Sequence, residues 1–252
     1  MSEVLLETRG LSRNFGALAA TRDVTFRLEA GARRALIGPN GAGKTTFINL
    51  LTGVLKPSHG SVLLKGRDIT AASQAERVKL GIARTFQINR LFRGLSVLEN
   101  VYIAVAERVG AAREIFRPAG WRKDVIEESM HLLETLKLER DARHRISELP
   151  YGRQRLVEIA IALGLKPEVL LLDEPAAGVP SAESHIILDA IAGLPPNIGV
   201  LIIEHDMDLV FRFAQHITVL VSGAIFAEGT PKEIGANADV RAVYLGQAST
   251  RG

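Results

Sequence analysis

A glycine-rich stretch, GPNGAGKTT at residues 38–46, constrains the possible folds of this chain more than any other part of its sequence. It follows RRALI, which favours a strand, and precedes FINLLTG, which favours a helix. The stretch matches G-x-x-x-x-G-K-[ST] in the strand–loop–helix setting that the pattern requires. Glycines let backbone N–H groups curve around phosphate oxygens, and the start of the following helix adds positive potential. We therefore expect a phosphate-binding loop in an α/β fold.

The residue types of this loop indicate separate tasks for its members. Lys44 is expected to bridge the β- and γ-phosphates of a nucleotide, and the Thr45 hydroxyl to bind Mg²⁺. A glycine-rich turn that binds nothing is the alternative, which the spacing and the setting together disfavour. The predicted nucleotide-binding residues of the loop are Gly38, Pro39, Asn40, Gly41, Ala42, Gly43, Lys44, Thr45 and Thr46.

A second apolar run, VLLLDE at residues 169–174, ends in two acids. After a buried strand, Asp173 is expected to hold the Mg²⁺ shell, and Glu174 to orient or deprotonate an attacking water. Taken alone, such a run is often an ordinary strand end. A kinase-like protein or a switch GTPase shares both features, so the two motifs indicate a P-loop nucleoside triphosphatase and no narrower class.

Apolar runs alternate with helical patterns along the rest of the chain. The runs at 33–38, 169–174, 199–205 and 217–221 are nearly continuous and predict a parallel sheet covered on both faces. The N-terminal runs VLLETRGL, DVTFRL and SVLLKGRDI alternate more, as in an antiparallel sheet. In SVLENVYIAVAERV and DVIEESMHLLETLKL the apolar residues recur at i, i+3, i+4 and i+7, which predicts amphipathic helices. These helices form a lobe inserted into the α/β core.

Composition excludes several other classes of protein. The chain of 252 residues has no cysteine, so disulfides, thiolate chemistry and cysteine metal sites are ruled out. The net charge of +3 comes without a dense basic run, which favours a solvated basic surface over nucleic-acid binding. The start, MSEVLLETRG, lacks the apolar region of a signal peptide, and the longest apolar stretches are far shorter than the ~20 residues of a membrane span.

Four further motifs, in their order along the chain, resemble the ATP-binding cassette of ABC transporters. NFG contains Phe15, TFQ contains Gln87, LPYGRQRLVEIAIAL precedes VLLLDEP, and LIIEHD contains His205. Singly, Phe15, Gln87 and His205 are weak signals, and their order and spacing carry the resemblance over nearly the whole chain. It implies an α/β P-loop NTPase (RecA-like) core with an antiparallel β subdomain and an inserted α-helical subdomain. The implied limits are 1–91 and 166–228 for the core, 92–165 for the helical subdomain and 229–252 for a C-terminal tail.

The resemblance also implies a role for each matching residue. Phe15 would stack on adenine, and Gln87 would join Thr45 and Asp173 in the Mg²⁺ shell. Glu174 would be the general base, and His205 would sense the γ-phosphate. A signature segment would face the ATP held by a second cassette; its residues are Leu149, Pro150, Tyr151, Gly152, Arg153 and Gln154.

Longer stretches such as GIARTFQINRLF, LDEPAAGVP and IEHDMDLVF are similar to the ATPase subunits of branched-chain amino-acid uptake systems and of their relatives for other amino acids, amides or small organic acids. This narrower resemblance implies ATP hydrolysis with Mg²⁺ that drives uptake of a small polar solute. It implies three partners: a second ABC ATPase subunit, identical or paralogous; membrane permease subunits; and, indirectly, a solute-binding protein. No nucleic-acid partner is expected. The implied location is cytoplasmic and peripheral, on the inner face of the cell membrane.

The signature segment departs from the family pattern LSGGQ at its second residue. Pro150 replaces a serine whose hydroxyl would reach the partner's γ-phosphate, and proline has neither that hydroxyl nor a backbone N–H. Losing one hydrogen bond to a charged group costs about 1.5–3 kcal/mol. Arg153 and Arg155 are expected to restore part of the positive potential. We infer an asymmetric dimer in which the site built on this chain's signature segment is the weaker one.

Two other functions share the cassette motifs. A non-transport ABC ATPase that acts on nucleic acid or ribosomes usually carries two cassettes or long coiled-coil insertions, and this sequence has neither. A regulatory ATP-binding switch would hydrolyse almost no ATP, and the presence of Glu174 and His205 disfavours it.

A second departure from the family pattern follows VLLLDE. Ala177 and Pro180 stand where the family usually has serine and aspartate.

Overall fold

The computed structural model describes residues 3–85, 91–111 and 122–245. The chain divides into two compact units, residues 1–77 with 196–252, and residues 78–195. Helix α2 (Gln74–Lys79) lies where the chain passes from the first unit to the second. The subdomain limits implied by the family resemblance stay a prediction.

The first unit contains an antiparallel sheet in the order β2–β1–β4–β5. The strands are β1 (Val4–Phe15), β2 (Leu18–Glu29), β4 (His59–Leu64) and β5 (Arg67–Asp68). The three alternating runs of the N-terminal sequence lie on these strands, so the prediction of an antiparallel sheet is confirmed. Phe15 pairs with Leu18 at the β1–β2 hairpin, where Gly16 takes a positive φ of 57°.

The same unit contains a set of strands built around β3 (Arg33–Ile37). β3 pairs in parallel with β8 (Gly199–Ile203) on one side and β9 (His216–Val221) on the other, and β10 (Ala224–Gly229) is antiparallel to β9. Every residue of β3 and β8 is buried, which is why GVLII in β8 and ALI in β3 are apolar without alternation; β3 begins with two buried arginines, Arg33 and Arg34. The helices of this unit are α1 (Lys44–Leu51), α7 (Met207–Phe213), α8 (Pro231–Ala236) and α9 (Ala238–Leu245).

The second unit is mainly helical. Its described residues contain the parallel strands β6 (Ile82–Arg84) and β7 (Val169–Asp173) and the helices α3 (Val97–Arg108), α4 (Lys123–Thr135), α5 (Tyr151–Gly164) and α6 (Ser181–Ala192). Helices α3 and α4 lie in the two stretches with helical periodicity. Ser96 and Glu99 form a capping box that starts α3, because each side chain accepts a hydrogen bond from the other residue's backbone N–H.

Within the parts of the chain just described, no helix has both the length and the apolar character needed to cross a membrane.

A buried arginine fixes the C-terminal end of α1. The Arg77 guanidinium donates to Leu50 O at 2.6 Å, to Leu51 O at 2.8 Å and to Thr70 O at 2.9 Å. The last carbonyls of a helix have no partner within the helix and form the negative end of its dipole, so a cation is favoured there. Burial lowers the pKa of Arg77, and nearby Asp68 opposes this. Arg77 therefore anchors the helix that follows the phosphate loop.

We predict that Arg77→Met destabilises the protein by about 2–4 kcal/mol, because several buried carbonyls lose their donor. The measurement is urea unfolding of the full chain. Lys79→Met is the matched control, since Lys79 is exposed on the same helix, and it should leave the midpoint nearly unchanged. Equal shifts for the two variants would contradict the anchoring role of Arg77.

Candidate functional site

The loop between β3 and α1 has close backbone contacts at its two ends and an exposed middle. Gly38, Gly41 and Gly43 have φ values of 153°, 79° and 99°, which favour glycine. A Cβ at Gly38 would lie 2.2 Å from Leu220 O, and one at Gly43 would lie 2.3 Å from Ala20 O. At Gly41 an added Cβ would meet no described atom within 4 Å. Close backbone packing therefore fixes the two ends of the loop and leaves its middle accessible.

The start of α1 has a positive electrostatic potential, from the helix dipole and from Lys44. Gly43 is its N-cap, and the first turn has no acidic residue, so the positive end of the helix dipole is not neutralised there. The Lys44 ammonium donates to Gly38 O at 2.5 Å and to Pro39 O at 3.0 Å, so it lies folded against the loop itself. Thr45 is exposed. Exposed N–H groups, an ammonium and a hydroxyl are the groups that a triphosphate with its cation requires.

Asp173, the last residue of β7, forms a nearly buried ion pair that sequence reasoning missed. Arg84, the last residue of β6, donates from Nη2 to Asp173 Oδ2 at 2.6 Å. The two side chains are 11% and 3% exposed. Removing one member of a nearly buried ion pair leaves the other without its partner, which is strongly unfavourable. The only sequence signal for Arg84 is its place three residues before Gln87, which lies outside the described residues.

The oxygen donors in the two units are of the kind that Mg²⁺ prefers. Thr45 offers an exposed hydroxyl in the first unit, and Asp173 offers a carboxylate in the second, with its Oδ2 on Arg84. Magnesium binds proteins through one or two such oxygens and completes its shell with water and substrate phosphate. Each of these oxygens is therefore of a type that suits the ion, and the assignment of these residues to it stays a prediction.

Glu174 has a strained backbone. Its φ is 48°, a left-handed value that costs a non-glycine residue about 1–3 kcal/mol. Ala177 N–H donates to Glu174 O at 3.0 Å and closes a turn after β7. The side chain is half-buried, next to the buried Asp173. Such strain persists where the surrounding structure imposes it, and it is concentrated at functional sites.

His205 lies just after β8 with its ring in solvent. The side chain is 68% exposed, and Nδ1 is 4.0 Å from Oε2 of Glu204, whose own side chain is buried. Asp206 accepts from the N–H groups of Asp208 and Leu209 and caps α7, which fixes the backbone on the other side of the histidine. The imidazole is thus accessible on a well-anchored backbone. Glu204 was not predicted, although it adjoins His205 in LIIEHD.

Phe15 is exposed at the end of β1, and one arginine covers part of its ring. The Arg13 guanidinium carbon lies 4.8 Å from the ring centroid, and Arg13 Nη1 donates to Lys56 O at 3.0 Å. An exposed aromatic ring supported by a cation is suited to stacking on a flat base. Arg13 has no signal in the sequence patterns.

The signature segment forms the start of α5. Pro150 is its N-cap, with φ −56° and ψ 150°, a position where a missing N–H removes no helical hydrogen bond. Gln154 donates to Leu149 O at 2.9 Å and is buried. Arg153 donates to Asp141 at 2.5 Å, and Arg155 donates to Glu158 at 2.8 Å. Both arginines are paired with carboxylates, so the positive potential expected from them is largely cancelled.

Sequence comparisons place the chain among transporter cassettes. The sequence model of a family described as ABC transporter matches residues 21–177, and that of a family described as branched-chain amino acid ATP-binding cassette transporter matches residues 224–249. The chain is 38% identical to the high-affinity branched-chain amino acid transport ATP-binding protein BraF of Pseudomonas aeruginosa, covering 98% of this chain and 100% of the relative. It is also 38% identical to the LivG protein of the same description from Escherichia coli K12, with the same coverage.

The fold of the chain is also similar to solved structures of ABC transporter cassettes. A nucleotide-free ATP-binding cassette from an ABC transporter matches with a TM-score of 0.84 and 32% identity, over 96% of this chain and 98% of that one. The ADP conformation of the cassette MJ1267 matches with a TM-score of 0.86 and 33% identity, over 96% and 99%. A dimeric structure of the cassette MJ0796 matches with a TM-score of 0.74 and 25% identity, over 90% and 99%.

We predict that Arg84→Met lowers the free energy of unfolding by about 3–5 kcal/mol, because Asp173 is left as a buried charge without its cation. Guanidinium unfolding of the full chain measures the loss, and the double variant Arg84→Met, Asp173→Asn should recover part of it. The control is Arg122→Met, which breaks a pair with the exposed Asp124 and should change stability far less. If the double variant is no more stable than Arg84→Met alone, the loss of the Arg84–Asp173 ion pair is not the cause of the destabilisation.

Proposed function

The chain belongs to the ATP-binding cassette family of ABC transporters and is the ATPase subunit of an uptake transporter, and from this premise we propose that the transported solutes are branched-chain or related amino acids. Full-length identity of 38% to two branched-chain amino acid transport ATP-binding proteins supports this substrate class. The match of residues 224–249 to a family described by the same substrates supports it independently of the nucleotide-binding motifs.

In the proposed reaction the first unit binds the triphosphate. The N–H groups of the loop and of the start of α1 hold the phosphates, Lys44 leaves the carbonyls of Gly38 and Pro39 for the β- and γ-phosphates, and Phe15 stacks on adenine. Thr45, Asp173 and Gln87 would hold Mg²⁺, which supplies charge neutralisation at the phosphates when bound. His205 has an accessible ring that can donate to the γ-phosphate.

Glu174 is the proposed general base. Its strained backbone and half-buried carboxylate follow directly on Asp173, so one turn of chain presents both a metal ligand and a base. The reaction is an attack of water on the γ-phosphate, with the water proton passing to the Glu174 carboxylate and ADP leaving. The kinase-like alternative would use a second substrate hydroxyl in place of this water.

A second cassette, identical or paralogous, would complete the site. One relative of the same fold forms a dimer. The signature segment of this chain would face the partner's ATP, and closure would be favoured by contacts to the γ-phosphate that ADP lacks. Pro150 contributes neither a hydroxyl nor an N–H to that contact, and both nearby arginines are paired with carboxylates. With a paralogous partner, we therefore expect the site that uses this signature segment to be the weaker of the two.

Closure would be transmitted to membrane permease subunits, with a separate solute-binding protein delivering the solute. The ATPase would lie on the cytoplasmic face of the membrane, bound to the permease.

The alternative function is that of an ABC ATPase that acts on nucleic acid or ribosomes. Binding of the chain to nucleic acid with a strong salt dependence would favour this alternative.

We predict that Glu174→Gln, in the complex purified with its permease subunits, lowers ATP turnover at least about tenfold while ATP binding is retained, because only the weaker site of the partner continues to turn over. Phosphate release measures turnover, and equilibrium binding of a fluorescent ATP analogue measures affinity. Glu127→Gln, an exposed glutamate on α4, is the matched control and should leave both unchanged.

The same complex tests the asymmetry of the dimer. The corresponding glutamate-to-glutamine change in the partner cassette should cost less turnover than Glu174→Gln, because the partner's site depends on the signature segment with Pro150. Equal losses from the two changes would contradict the asymmetric dimer without affecting the assignment of the ATPase.

A further inference from the structure

Tyr151 occupies a position inside the second unit that its place in the signature segment does not explain. The guanidinium carbon of Arg155 lies 5.0 Å from the centroid of the Tyr151 ring. The edge of the same ring lies against Gly178, where an added Cβ would be 3.1 Å from Cε1 and 3.6 Å from Cζ of Tyr151. The ring therefore links the start of α5 to the turn that follows β7.

The arginine that supports the ring is itself anchored. Arg155 Nη1 donates to Glu158 Oε2 at 2.8 Å, and the two side chains are only 8% and 10% exposed. Burial raises the pKa of Glu158, and the hydrogen bond from Arg155 opposes that shift. Arg155 Nε and Glu158 Oε1 have no hydrogen-bond partner among the described residues. Burying an incompletely satisfied ion pair is unfavourable, so a gain in stability does not account for the Arg155–Glu158 pair.

Gly178 belongs to the turn that begins with Glu174. Ala177 N–H donates to Glu174 O at 3.0 Å, and Val179 N–H donates to Ala176 O at 3.1 Å. Gly178 has a φ of 76° and no side chain, so the ring contacts the backbone directly. A displacement of the ring at this point acts on a short hydrogen-bonded segment whose first residue is the proposed general base.

We propose that Tyr151 is a positioning residue that couples the start of α5 to the Glu174 turn, so that engagement of the partner's ATP by the signature segment changes catalysis in the site of this chain's own Glu174. The proposal rests on the proposed function, since the partner's ATP reaches α5 only in a cassette dimer. Its physical basis is a continuous packed path, from Arg155 through the Tyr151 ring to Gly178 and the Glu174–Ala177 hydrogen bond. The Tyr151 ring is 38% exposed, so a displacement passes only through the part of the ring that contacts Arg155 and Gly178.

The first test measures the coupling without nucleotide, partner or turnover. In hydrogen–deuterium exchange of the full chain, Tyr151→Ala should raise exchange in residues 174–180 about tenfold, because the turn loses its packing partner. The phosphate loop, residues 38–46, is the internal control and should be unaffected. Tyr151→Phe keeps the ring and should behave as the unsubstituted protein. Unchanged exchange in residues 174–180 overturns the proposal; if Tyr151→Ala does not fold, Tyr151→Leu keeps apolar volume without the ring and takes its place.

The second test asks which of the two sites responds. In a complex whose partner lacks its own general base, only this chain's site hydrolyses ATP, and Tyr151→Ala should lower kcat about tenfold with KM for ATP within about twofold. Tyr151→Phe should restore the rate. If Tyr151→Ala acts only when this chain carries Glu174→Gln, so that only the partner's site turns over, Tyr151 merely contacts the partner's nucleotide and the proposal is wrong. A complex with no ATP turnover at all would instead refute the proposed function, and the exchange result would still stand.

Discussion

The rest of the nucleotide site depends on how the backbone between β3 and α1 is held against the strands behind it. Gly38 packs against Leu220 O of β9 and Gly43 against Ala20 O of β2, at distances that leave no room for a side chain. The other end of α1 is fixed by Arg77 on the carbonyls of Leu50 and Leu51. With both ends fixed, the N–H groups at the helix start form a positive surface whose backbone would need little reorganisation to bind phosphate.

Buried strands and backbone-determined loops were predictable from the sequence, because burial on both faces and sharp turns demand particular residue types. The apolar runs became β3, β7, β8 and β9, and GPNGAGKTT became a loop with glycine at its positive-φ positions. The partners of charged side chains were not predictable. Arg84 meets Asp173 across 89 residues of chain, and only the parallel pairing of β6 with β7 brings them together. Gln87 stays a prediction.

Three of the buried or nearly buried arginines are paired with groups near the proposed nucleotide sites. Arg77 satisfies helix carbonyls, Arg84 balances Asp173, and Arg155 pairs with Glu158 beneath the Tyr151 ring. Arg77 stabilises the end of the helix that follows the phosphate loop, Arg84 stabilises the Asp173 carboxylate, and Arg155 supports the Tyr151 ring, so all three are engaged in contacts within the chain. The weakness expected from Pro150 would therefore not be compensated by Arg155, and it would act first on the ATP of the partner.

The central claim, that this ATPase drives amino-acid import, is tested most directly in proteoliposomes containing the chain with its permease subunits. With the solute-binding protein and labelled leucine outside, and the ATPase oriented inward, ATP enclosed in the vesicles should drive leucine accumulation. Lys44→Ala should abolish both accumulation and ATP turnover, because the triphosphate loses its ammonium contact. Sustained ATP turnover that moves none of the branched-chain amino acids, or that moves them outward, would contradict the account.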